Sequence, residues 1–214
     1  MPNENSELIV HTLQSAQIES NRIYEATIEA FARAIEMRDR EPVGHTRQVT
    51  EITDRLARVV GVEAEAIPHL RHGALLHDIG KLGVPENIVQ KSGPLTDQEW
   101  NIMRLHPQIA YDLLSPITYL QPALEIPYCH HEKWDGSGYP RGLKGNQIPL
   151  AARIFAVVDV WDALISDRPF RKAWTEYQAS RYLREQSGSY FDPEITAIFL
   201  NAEIKRKVTR PLKY

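Results

Sequence analysis

The sequence predicts an all-α protein, and three observations carry that expectation. Apolar residues recur at helical spacing, as in His45, Val49, Ile52, Leu56 and Val59. Helix-start signals stand where such runs begin: Thr96-Asp97-Gln98-Glu99 has the form of a capping box, and Asp192-Pro193 that of a cap followed by a first-turn proline. No strand-turn-strand pattern and no internal repeat interrupts them.

Size and composition narrow the class further. A chain of 214 residues can bury one sizeable core, so a single catalytic domain with an extension is expected. A formal charge of −3 argues against a general nucleic-acid binder, so an anionic ligand would have to be attracted locally. Cys129 is the one cysteine, which excludes a disulfide framework and a thiolate metal cluster and points to a reducing compartment. No stretch approaches 18 consecutive apolar residues, so no membrane insertion is expected. Met1 to Ser6 lack the basic start and apolar run of a signal peptide, and the cytoplasm is the expected setting.

In chain order, residues 7–37 carry Leu8, Leu13, Ile23, Ile28, Phe31 and Ile35 among polar residues, without proline or glycine. One or two amphipathic helices are predicted there, forming an N-terminal helical extension over 1–35 that packs or dimerises. Pro42 suits the first turn of the next helix, which puts Glu41 at its entrance, one turn before His45, and Gly61 ends it. A further helix runs from about Pro68 through Leu75-Leu76-His77-Asp78, with Gly80 and Gly83 as its stop. The capped helix bearing Trp100 and Met103 meets a proline break at His106-Pro107. Helices are predicted over 108–114, 122–131 and 150–165, then a last one over 194–205 before a frayed basic tail, 205–214. The stretch 132–149 is irregular and holds four of the eleven glycines, Gly136, Gly138, Gly142 and Gly145. Structureless loops of that length are uncommon in compact domains and often functional.

The chemistry starts from the polar intrusion His77-Asp78 and Lys81 in an apolar helical run. Ionisable groups beside a core cost on the order of several kcal/mol unless paired or metal-bound. Of the eight histidines, His11, His69 and His72 read as surface or satisfied core residues. The other five differ in context. His77 precedes an aspartate, His130 and His131 stand together at the mouth of the glycine-rich loop, His45 follows Glu41, and His106 precedes a proline.

Imidazoles with carboxylates and no thiolates suit a divalent first-row metal such as iron, manganese, zinc, cobalt or nickel. Five imidazoles and several carboxylates exceed one site, so more than one ion is expected. Asp78 could bridge two ions about 3.5–4 Å apart, an arrangement suited to in-line displacement at phosphorus. Asp159, another carboxylate in an apolar helix, reads as a ligand. Lys81, one turn beyond His77, could hold a phosphate, stabilise developing charge or protonate a leaving oxygen; the alternative is an exposed lysine complementing a helix dipole. Arg168, Arg171 and Lys172 cluster after the Asp159 helix and could supply the local positive charge.

His77-Asp78 with Gly80-Lys81 resembles the HD phosphohydrolase signature. His130-His131-Glu132-Lys133-Trp134-Asp135-Gly136-Ser137-Gly138-Tyr139-Pro140 resembles the extended motif of the HD-GYP subfamily, the cyclic di-GMP phosphodiesterases. The likeness covers roughly 36–200, and it implies an HD-GYP catalytic domain over 36–204, an HD-domain helical bundle around a central multinuclear metal site. It implies hydrolysis of cyclic di-GMP to linear pGpG or GMP in bacterial second-messenger signalling. Carried over by position, it makes His45, His77, Asp78, His106, His130, His131 and Asp159 ligands, with Asp78 the bridge. Glu41 stands where some members add a ligand, so three metals are favoured over two, with iron or manganese expected.

The same resemblance puts Lys81 beside the scissile phosphate, has Arg168 and Arg171 bind substrate phosphates, and makes the loop with Gly136 and Tyr139 a surface for recognition and for signalling-protein contact. Phe170 departs from the family pattern, where tyrosine is frequent. The competing readings are a non-hydrolytic cyclic-dinucleotide receptor or interaction module, and a hydrolase of another cyclic dinucleotide.

Overall fold

The computed structural model describes residues 4–39, 44–167 and 171–202, and for 4–10 the helix backbone alone. Glu41, Pro42, Arg168, Phe170 and the tail 205–214 lie outside the described residues. The α-helices among them are α1 (Glu4–Asp39), α2 (His45–Val60), α3 (Ile67–Leu75), α4 (Glu86–Val89), α5 (Asp97–Met103), α6 (His106–Leu114), α7 (Glu125–Cys129), α8 (Leu150–Ile165), α9 (Glu176–Glu185) and α10 (Pro193–Asn201). Three short 3-10 segments join them, Ile79–Gly83, Thr118–Ala123 and Gly145–Gln147. The described residues contain no β-sheet; an isolated bridge joins Ser187 and Phe191. The all-α expectation holds. No described helix is long and apolar enough to cross a membrane.

The main core is built where α2, α3, α7, α8, α9 and α10 converge. Ile52, Leu56, Ile126, Phe155, Trp161, Leu183 and Phe199 are all buried there. The wide apolar face of α8 supplies Ile154, Phe155, Val157, Val158 and Trp161, so this helix is central, and a polar residue on it is forced toward a partner. A second core joins Ile28, Ala32 and Ile35 of α1 to Leu75, Leu76 and Ile79.

That second core changes the place of the N-terminal helix. The boundary expected after residue 35 falls inside one unbroken helix, and burial begins at Ile28. The last turn of α1 is tied to the segments that follow. Glu36 accepts the Gly44 and Thr46 N–H groups at 3.2 and 2.6 Å, placing a carboxylate at the α2 N-terminus, where it answers the open N–H groups and the helix dipole. Arg38 donates to the carbonyls of Lys81 and of Val84.

Local signals explain several element ends. Thr96 and Glu99 form the expected capping box, and Asp192 accepts the Glu194 and Ile195 N–H groups. Helix α9 was not anticipated, although Thr175 and Gln178 form a capping box at its start. Its buried face is thin, only Ala179 and Leu183, so its apolar period is weak. The helix expected through His77-Asp78 stops at Leu75, and the pair sits in the turn before the 3-10 segment.

Candidate metal centre

Breaking the helix at Leu75 places the motif. In a continuing helix the Ala74 carbonyl would accept from the Asp78 N–H. Here the His77 side chain takes it, Nδ1 donating at 2.8 Å. His106 repeats the device at the start of α6. Its Nδ1 donates to the Met103 carbonyl at 2.9 Å, a carbonyl that the next residue in helical register, Pro107, has no N–H to satisfy. His130, just past α7, donates Nδ1–H to the Ile126 carbonyl at 3.0 Å.

A carbonyl only accepts, so each Nδ1 carries a proton, and at His106 and His130, whose pKa values are lowered, the neutral Nε2 presents a lone pair. Those Nε2 atoms turn toward Asp78. Its Oδ1 lies 3.4 Å from His106 Nε2 and 3.8 Å from His130 Nε2, and its Oδ2 lies 3.1 Å from His77 Nε2 and 2.6 Å from Lys81 Nζ. With His131, whose ring lies 4.0 Å from that of His130, these residues converge: ligand atoms of Asp78, His106, His130 and His131 all fall within 4.8 Å of one another.

The donor set fits a divalent cation on the site's own chemistry. His106 Nε2 and His130 Nε2 face each other at 3.3 Å, two lone pairs that repel without a positive charge between them. Burial holds His130 well below, and His131 down to about 3, so both imidazoles are neutral donors at physiological pH. Burial likewise lowers His106. Burial opposes a charged His77, but Asp78, Asp159 and the Ala74 carbonyl outweigh it and push its pKa up to about 9. Burial also opposes the Asp78 charge, but Lys81 and His77 outweigh it and hold the carboxyl well below its usual range. The site wants positive charge.

Of the remaining expected ligands, His45 and Asp159 fall among the described residues. His45 opens α2, and its Nδ1 pairs with Asp162 Oδ2 at 2.7 Å, so that Nε2 is the ring nitrogen that could serve a ligand role. Asp159 of α8 lies near enough to act on the charges of His77 and Tyr190. Glu41 falls outside the described residues. Asp162 was missed by sequence reasoning, although it follows Asp159 by three residues in the same apolar helix and so carried the same signal. It also accepts from Gln48 and Ser166, an acceptor network that holds its carboxyl low against burial.

Lys81 is neither exposed nor on the helix face of His77. It projects from the 3-10 segment, one turn after Asp78, and its Nζ lies between Asp78 Oδ2 and Asp39 Oδ2, the latter at 3.4 Å. Arg171 donates to the Ala163 and Leu164 carbonyls and lies 5.5 Å from the Trp174 ring centroid. It therefore caps the C-terminus of α8. Arg168 lies outside the described residues. His72 is a buried core histidine, its Nε2 2.6 Å from Glu25 and its buried Nδ1 without a hydrogen-bond partner.

The loop after His131 is a folded structure. Buried Glu132 accepts the Arg141 and Leu143 N–H groups at 2.8 and 2.9 Å, knotting the loop to its own base. Trp134 and Asp135 donate main-chain N–H groups to the Tyr190 and Ser189 carbonyls. A Cβ on Gly138 would stand 2.3 Å from the Lys133 nitrogen, so only glycine passes there, while Gly136 turns the chain at φ 87°. The result lays the Tyr139 ring on His131, centroids 4.8 Å apart and 28° from parallel.

Comparison with known proteins identifies the family. The HD-domain family pattern matches residues 29–195. The chain is 43% identical over 169 residues to the cyclic di-GMP phosphodiesterase response regulator RpfG of Xanthomonas campestris pv. campestris, covering 78% of this chain and 45% of that protein. It is 39% identical over 172 residues to the 3′3′-cGAMP-specific phosphodiesterase 2 of Vibrio cholerae, covering 79% of this chain and 33% of that protein. Its fold matches the crystal structure of V-cGAP3, a cyclic GMP-AMP-specific phosphodiesterase of V. cholerae, with a TM-score of 0.61 at 17% identity over 81% of this chain and 47% of that one. The chain belongs to the HD-domain family. The chain spans less than half the length of these relatives.

Proposed function

We propose that this protein is a metal-dependent phosphodiesterase that opens the 3′–5′ phosphodiester bonds of a cyclic dinucleotide, with cyclic di-GMP as substrate and linear pGpG or GMP as product. The observation that carries the reading is the division of the Asp78 carboxylate, one oxygen toward His106 and His130, the other toward His77 and Lys81. A carboxylate so shared, ringed by inward-facing Nε2 atoms, suits a bridge between two ions. His45, His77, His106, His130, His131 and Asp159 would complete the ligand set, with Glu41 adding a third ion. Iron or manganese would supply Lewis-acid polarisation of the phosphoryl group and a nucleophile at neutral pH.

The chain's own groups do the rest. Lys81, held by Asp78 and Asp39, would offer its ammonium to a phosphate oxygen and its proton to the departing ribose oxygen. Tyr139, Gly136 and the loop they belong to would line the substrate entrance, and Arg168 would contact the second phosphate with the Arg171 donors not spent on α8. The catalytic unit would run over 36–204, with residues 1–35 before it as a helical extension that makes a homodimer contact, and the Gly-Tyr-Pro loop would also meet signalling proteins. A second-messenger substrate places the reaction in the cytoplasm.

The test is chromatography of cyclic di-GMP, 3′3′-cGAMP and cyclic di-AMP incubated with Fe(II)- or Mn(II)-loaded protein. Linear product from cyclic di-GMP supports the proposal. Turnover of another dinucleotide alone replaces the substrate, and tight binding without product makes the protein a receptor.

A further inference from the structure

At the mouth of the metal centre one cation stands between two aromatic rings. Arg104 follows α5, and its guanidinium carbon lies 5.8 Å from the Trp100 ring centroid and 5.7 Å from that of Tyr139. Tyr139 stacks in turn on His131, a member of the converging metal-binding group. The four side chains Trp100, Arg104, Tyr139 and His131 therefore form a ladder from solvent to the metal centre. Both outer rungs are exposed, Trp100 at 44%.

The charge of Arg104 is not spent inside the protein. Among the described residues it has no ion pair and no side-chain hydrogen bond, only these two ring contacts and its field on Tyr139. An arginine that merely answers the α5 dipole needs no aromatic partner on either side. A guanidinium held against rings keeps its N–H donors for a planar acceptor edge, and an exposed indole beside it offers a face for a base to stack on.

We propose that Trp100 and Arg104 form a guanine subsite: one base of the cyclic dinucleotide stacks on Trp100 while Arg104 donates two N–H groups to O6 and N7 of that base. This rests on the cyclic-dinucleotide reading above. Guanine presents two acceptors on that edge. Adenine presents a donor at N6 beside N7, so it meets the arginine fork donor to donor, and a glutamine would suit it better. The subsite would thus favour a guanine-containing dinucleotide over one with adenine alone.

The experiment compares wild type, Arg104→Gln and Trp100→Ala, each metal-loaded. Turnover of cyclic di-GMP and cyclic di-AMP is followed by chromatography, and binding is followed by calorimetry with phosphorothioate analogues. Methyl p-nitrophenyl phosphate, a diester without a nucleobase, reads the metal centre alone. Arg104→Gln is expected to raise KM for cyclic di-GMP about tenfold, leave kcat within about twofold, and erase the guanine preference. Trp100→Ala is expected to weaken both dinucleotides about tenfold, with the nucleobase-free diester unchanged in both variants.

Equal losses for both dinucleotides in Arg104→Gln would make the contact one to phosphate, and an unchanged KM would return Arg104 to the surface; either result overturns the subsite. If wild type cleaves the simple diester but binds no cyclic dinucleotide, the subsite falls while the metal centre stands. If the dinucleotides bind with the expected pattern and none is cleaved, the subsite stands and the phosphodiesterase reading falls.

Discussion

His106 and His130 turn Nε2 toward Nε2 across 3.3 Å, and each ring is locked there by its own Nδ1–H donating to a main-chain carbonyl, Met103 and Ile126 respectively. Such locking fixes tautomer and direction before any ion arrives, so little ordering remains to be done on binding. His106→Ala and His130→Ala should each reduce metal affinity by more than about 100-fold, beyond what loss of an orienting partner costs. Chelator-competition titration measures this, and retention of full metal content in either variant would remove that residue from the ligand set.

Asp162 carries the corresponding lock for His45. Asp162→Asn keeps the shape but offers an amide in place of a carboxylate that accepts from His45, Gln48 and Ser166. Metal affinity or turnover should fall by about 10–100-fold, the usual cost of losing such a partner, with little change in melting temperature. An unaltered metal titration would show that His45 needs no such orientation.

Gly80 does more than stop a helix. A Cβ there would stand 1.8 Å from the His106 carbonyl oxygen and 2.7 Å from the Ala110 nitrogen, so the 3-10 segment lies directly under the first turn of α6. Gly80→Ala should destabilise the fold by about 1–3 kcal/mol or more, as forced overpacking does, and should shift His106 with it. Denaturant unfolding reads the first effect and metal affinity the second. Wild-type values for both would mean that α6 moves freely.

These cases also show what the sequence could reveal. The residue types that converge, His77, Asp78, His106 and His130, were legible because polar groups in apolar surroundings need partners. The break at Leu75 was not, because an apolar run with glycines beyond it reads as one helix until the His77 side chain is known to take the Ala74 carbonyl. The burial of Ile28, Ala32 and Ile35 against the motif depends on a contact between distant segments, and so no local pattern announced it. Arg171 illustrates the opposite failure: its charge suggested phosphate, and the chain uses much of it on the carbonyls that end α8.

The Lys91–Glu99 pair sets part of the acid stability. Lys91 Nζ lies 2.5 Å from Glu99, and that bond with the Thr96 N–H holds the Glu99 pKa down to about 2. A carboxyl with a lowered folded pKa adds stability above its unfolded value, about 4.3, and loses it as pH falls toward 2. Glu99→Gln preserves the capping-box geometry and removes the titration. Its stability should therefore fall less steeply than that of wild type between about pH 4.5 and 2, by denaturant midpoints; parallel curves would place the acid sensitivity elsewhere.

The account stands or falls on the metal centre as the seat of hydrolysis. Turnover of cyclic di-GMP, measured as Mn(II) or Fe(II) is added back stepwise to apoprotein under anaerobic conditions, tests it most directly. The account predicts no product without metal, a rise to a plateau at two or three equivalents, and no recovery at any metal level in Asp78→Ala. Hydrolysis by chelated protein, or by Asp78→Ala at the wild-type rate, would contradict it.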